Sequence, residues 1–98
     1  MTRLRVVAAV REELRRSALW YDQKRRGLGR ELIDAVDTAL ERVRSQPESA
    51  PLWRPDRPYR VIHLRRFPYS IFFRIRERDV EVVAFAHQKR RPGYWTER

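Results

Sequence analysis

Polar and apolar positions alternate briefly over residues 3–7, Arg-Leu-Arg-Val-Val, which predicts a short first strand. From Ala8 the period changes. Val10, Leu14, Ala18 and Tyr21 recur at helical spacing with Trp20 beside them, and Arg11, Glu12, Arg15 and Arg16 take the other face. Glu12 and Arg16 form an i,i+4 pair in the favourable orientation. The helix should reach Lys24 or Arg25, where Gly27-Leu28-Gly29 supplies a capping glycine and a tight turn. A second apolar stripe follows at Leu28, Leu32, Ile33, Val36, Leu40 and Val43, with Glu31, Asp34, Asp37 and Glu41 outside, and Pro47 stops it. So short a linker folds the two helices back as an antiparallel hairpin.

Residues 47–58 hold four of the six prolines and predict an irregular loop, pinned to the body by Leu52 and Trp53. Three strands are then expected in close order. Residues 59–66 alternate, placing Tyr59, Val61, His63 and Arg65 on one face. Phe67-Pro68 turns the chain into residues 69–76, Glu77-Arg78-Asp79 forms a charged hairpin loop, and residues 80–86 are the most apolar and hence central. The order β-α-α-β-β-β over residues 1–98 is a single α+β domain with an antiparallel meander. One sheet face should carry the helical hairpin, leaving the other for a partner.

Charge sharpens this picture. The net charge is +10, and residues 1–53 contribute +3 (11 basic, 8 acidic) against +7 for 54–98 (12 basic, 5 acidic). The excess therefore lies in the C-terminal half, as expected of a surface for an anionic partner. The absence of cysteine removes disulfides and thiolate metal sites, and two histidines without HExxH spacing do not make a metal centre. No apolar run approaches the roughly 20 residues of a membrane span. The basic start meets Arg11-Glu12-Glu13 rather than a signal-peptide core, so a cytoplasmic location is expected.

Chemistry concentrates in the run from His87 to Trp95, His-Gln-Lys-Arg-Arg-Pro-Gly-Tyr-Trp. It combines an imidazole that titrates near neutrality, three cations, a Pro-Gly turn and two aromatic faces. Without metal or other cofactor, these groups fit cleavage of RNA by its own 2′-hydroxyl, which needs a base, an acid and cations for the charge on phosphorus. His87 and Tyr94 would move protons and Arg90 would stabilise charge. Arg91, Arg74, His63 and Arg65 would bind RNA or an acidic partner, and Trp95 would stack a base. Read more plainly, Tyr94 and Trp95 anchor the terminus by packing, and the arginines face a partner's carboxylates.

The ordered set Trp20-Tyr21, Gly27-Leu28-Gly29, Pro47, Arg66-Phe67-Pro68-Tyr69 and His87-x-x-Arg90-x-Pro92-x-Tyr94-Trp95 resembles RelE/ParE-type toxins of bacterial type II toxin–antitoxin modules over nearly the whole chain. The resemblance implies a helical hairpin on an antiparallel-rich four-stranded sheet. It also implies a small basic toxin, neutralised by a cognate antitoxin through an extended, usually acidic segment. RelE-like members cut mRNA on the ribosome; ParE-like members inhibit DNA gyrase; a degenerate member would bind its antitoxin without poisoning the cell. Of the nuclease pattern, Arg90 is kept and Tyr94 approximates the C-terminal tyrosine. His87 is similar to the histidine of other ribosome-dependent relatives. Ser70 replaces an arginine, and Val61 and His63 replace two lysines.

Overall fold

Helix α1 (Ala8–Lys24) follows strand β1 (Arg3–Val6) after a single extended residue, Val7, so the strand passes straight into the helix that packs against its sheet. The computed structural model describes residues 2–91 and 93–97; Pro92 of the expected Pro-Gly turn lies outside them. At the end of α1, Gly27 adopts φ +90°, a left-handed turn open to glycine without strain, and the chain re-enters helix as α2 (Leu28–Ser45). The helices then approach so closely that Gly29 lies against the backbone of Ala18, and its N–H donates to Asp22 Oδ1 at 2.7 Å. That carboxylate, borrowed from α1, caps the first turn of α2.

Strands β2 (Tyr59–His63), β3 (Tyr69–Arg76) and β4 (Asp79–His87) form the expected meander, and the sheet order is β1-β4-β3-β2. β1 runs parallel to β4, which makes β4 central. β2 is shorter than the alternation suggests: it ends at His63, and Leu64 N–H turns to the Tyr69 carbonyl at 2.9 Å. Arg65 therefore lies in the exposed loop and not on the strand face. The proline-rich loop is more ordered than composition implies. Residues Pro47–Ser49 form a 3-10 turn, and Trp53 N–H to Tyr59 and Val61 N–H to Pro51 (2.8 and 3.1 Å) lay the loop along the outer edge of β2. This covers an edge that would otherwise template pairing with another chain. Trp53 pins the loop by its ring, whereas Leu52 is exposed and holds only through its backbone bridge to Arg60.

Between helices and sheet lies the main core, built on Leu32, Val36, Val43, Ile71, Phe73, Val80, Val82 and Phe85. Each large side chain fully buried there contributes roughly 1.5–3 kcal/mol. In β4 the register shifts opposite Phe72 and Phe73, with Val83 as the extra residue. Val80, Val82 and Phe85 consequently face the helices, while Val83, Ala84 and Ala86 face the other way. That second face is not left open, as the sequence suggested. Trp95 lies on it, 1% exposed, stacked on Phe72 with ring centroids 4.0 Å apart and flanked by Trp53 and Tyr59. A 3-10 turn at Tyr94–Glu97 carries it there, so the C-terminal segment is a strap across the sheet. Trp53 and Trp95 reach this face from a loop and a tail, where no periodicity announces burial.

Candidate functional site

The strands' shared end, where β2 and β4 stop and β3 starts, opens a groove of about 650 Å³ on the strap side of the sheet, a volume in the range of small-ligand sites. Trp53, Val61 and Phe72 form its apolar wall, and His63, Ser70, His87 and Arg90 supply its polar groups. His63 and Ser70 are paired across β2 and β3, which puts His63 Nδ1 2.5 Å from Ser70 Oγ. Ser70 is 3% exposed, so the position aligned with a nuclease arginine holds a buried hydroxyl satisfied by the imidazole.

His87 reaches this groove only at its rim. The bulge at Val83 turns His87 to the side of Phe85, where its ring meets the edge of Tyr69 at 5.2 Å and borders a second hollow beside Trp20 and Tyr21. Its Nδ1 accepts the Lys89 N–H at 3.1 Å. An accepting Nδ1 places the neutral ring's proton on Nε2, so the outward nitrogen donates, and a general base needs the reverse.

Arg90 and Tyr94 are brought together, but toward α1. The Arg90 guanidinium lies 3.5 Å from the Tyr94 ring centroid, a cation–π contact. The Tyr94 hydroxyl donates to Glu13 Oε2 at 3.0 Å, and an Arg90 nitrogen comes within 3.8 Å of the same oxygen. Glu13 Oε1 also accepts the backbone N–H of Phe85 at 3.3 Å. Sequence reasoning missed Glu13. Its signal was a carboxylate on the flank of the α1 apolar stripe, beside the face of Ser17 rather than opposite the core.

The other expected binding residues disperse. Arg74 stands four residues along β3 from Ser70, roughly 13 Å at the rise of a strand, and both its Nε and a terminal nitrogen meet Glu81 Oε1 at 2.7 Å. Trp95 is interior and offers no face to a base, as the packing alternative expects. Arg65 and Arg91 are exposed at the groove end of the sheet, together with Lys89. Arg66 instead binds Glu31 of α2 at 2.6 Å, joined there by Arg25 at 2.9 Å, and the two guanidiniums hold the Glu31 carboxyl below the usual carboxylate range. Among the described residues no cluster of three or more His, Cys, Asp or Glu converges, and no helix is long and apolar enough to cross a membrane.

The arrangement therefore presents an aromatic-walled groove with a basic rim, and its proton-carrying groups are already engaged with one another. Comparison with known proteins places this architecture. No curated protein matches the chain in sequence. Among solved structures, a chain of the chromosomal ParDE toxin–antitoxin system from P. aeruginosa superposes with a TM-score of 0.80. It has 13% identity, and the match covers 89% of this chain and 96% of that one. The family described as the ParE toxin of the type II toxin–antitoxin system, parDE, matches residues 4–92. With nine-tenths of its length inside that match, the chain belongs to the ParE family of type II toxins.

Proposed function

We propose that this toxin arrests growth by binding a protein target, DNA gyrase, and performs no chemistry on RNA. The observation that carries this reading is the engagement of Tyr94 and Arg90 with Glu13. The phenol that would protonate a leaving oxygen faces a carboxylate, and the cation aligned with the nuclease pattern is stacked on that phenol. The third position of the pattern is a buried serine. Among the described residues, what remains free at this end is a contact surface: Arg65, Lys89 and Arg91 around an aromatic groove. In the cell, a cognate antitoxin would neutralise it in the cytoplasm, with acidic groups meeting the same basic rim. Such an interface weakens with salt.

The ribonuclease reading keeps one specific support. His63, Ser70, His87 and Arg90 border a single groove, a set able to move protons without a metal. The two readings separate within minutes of induction. Loss of DNA supercoiling ahead of any fall in amino-acid incorporation supports gyrase. Cut mRNA and early translation arrest with normal supercoiling would refute it.

A further inference from the structure

Glu13 differs from the carboxylates of the outer helix faces. Glu12, Asp34 and Glu41 pair with arginines three or four residues along their own helices, in solvent. The Glu13 side chain is 17% exposed and reaches partners 72 and 81 residues away in the chain. β1 pairs with β4 only as far as Val82, so Phe85 N–H points past the end of the neighbouring strand, and Glu13 Oε1 receives it. The other oxygen takes the Tyr94 hydroxyl and faces Arg90. One carboxylate thus ties α1 to the β4 edge, to the cation after β4 and to the start of the strap.

Among the described residues, the far half of the strap has no comparable polar tie. Trp95 is buried, yet its indole N–H meets no acceptor among the described residues. Thr96 turns both its N–H and its hydroxyl to the Gly93 carbonyl, closing the segment on itself. Apolar burial holds Trp95 without specifying direction, whereas the hydrogen bond from the Tyr94 hydroxyl to Glu13 fixes where residues 88–91 project.

We propose that Glu13 is the positioning residue of the poisoning segment: it holds the strap and aims the Lys89–Arg91 cations at the target without touching the target itself. This rests on reading residues 87–95 as the segment that meets the target. A glutamine at position 13 can still accept from Phe85 and donate to the Tyr94 oxygen, so positioning predicts rescue by Gln and loss with Ala.

The test combines amide exchange on purified protein with the inducer dose that halts growth. In Glu13→Ala, the Phe85 amide should exchange at least about tenfold faster while Phe73 in β3 keeps its protection. The arresting dose should rise by at least about tenfold, and Glu13→Gln should restore both readings to within about threefold. If Glu13→Ala does not fold, Tyr94→Phe, which deletes one of the bonds and keeps the ring, must raise the dose in its place. Unchanged exchange and dose would overturn the inference. So would loss of arrest with Phe85 still protected, which would make Glu13 a target contact. Neither reading assumes gyrase, so failure of that assignment shows in the supercoiling assay and leaves this test intact.

Discussion

Replacing Gly29 by alanine tests the helical hairpin at its tightest point. An alanine Cβ would stand 2.3 Å from the Ala18 carbonyl oxygen and 2.8 and 2.9 Å from the Asp22 carboxylate. Asp22 can rotate away, but the Ala18 oxygen is backbone, so the helices must part by about 1 Å to restore ordinary contact. Parting them breaks the Gly29 N–H to Asp22 bond. Overpacking costs about 1–3 kcal/mol, and loss of a hydrogen bond to a charged acceptor about 1.5–3 kcal/mol. The intrinsic helix preference of alanine returns less than about 1 kcal/mol. The net expectation is about 1.5–5 kcal/mol, a large share of the roughly 5–15 kcal/mol that holds a domain folded.

Urea unfolding followed by circular dichroism should show the midpoint fall with an unchanged slope. Gly27→Ala provides the control, because its Cβ meets nothing within 4 Å and pays only for φ +90°, about 1–2 kcal/mol. Adding Asp22→Ala to Gly29→Ala should not restore stability, since the backbone clash remains. A Gly29→Ala protein as stable as the parent, or one rescued by Asp22→Ala, would refute the close-approach argument.

Trp95→Ala should cost about 3–5 kcal/mol through the cavity left on Phe72. Trp95→Phe should cost under about 1.5 kcal/mol because it keeps the stack and removes an unsatisfied N–H; equal losses in thermal melts would contradict the packing role. Glu77 sits at φ 55° in the β3–β4 turn, so Glu77→Asn should raise stability by several tenths to about 1 kcal/mol, measured by urea midpoint. Arg66 and Arg25 depress the Glu31 carboxyl from its usual 4.5, so their contribution is complete above that pH and fades as pH falls through the lower folded value. Glu12, held down to about 2 by Arg15 and Arg16, loses its contribution later in the same acid limb. Glu31→Gln should therefore lower stability at neutral pH and flatten its decline below about pH 4.5, where urea midpoints at a series of pH values check it.

The helices could be read from the chain because one period governs each: Val10 and Ala18 in α1, and Leu32, Val36 and Val43 in α2, are buried on the expected stripes. β3 shows its 8 residues in full. Three things were hidden for physical reasons. Alternation does not report an extra residue, so the bulge at Val83, and with it the side taken by His87, left no trace in the pattern. The second core draws on Trp53 and Trp95, whose burial follows from where a loop and a tail land. The contacts of the candidate site were hidden for the same cause. Arg90 and Tyr94 were both expected at the site, but the residue that joins them is a helix carboxylate more than 70 positions earlier, set apart from its solvated neighbours only by its place on the flank of the α1 stripe.

The bulge also has a consequence for how such a toxin diversifies. Every side chain of β4 beyond Val83 owes its face to the count of residues before it. Deleting that one residue would exchange the two sides from Ala84 to His87, carrying the imidazole onto the groove floor and Phe85 out of the main core. Length at a single codon, rather than any substitution within the groove, thus decides which chemical groups the last strand presents there, and the helices that give the protein its shape need not change.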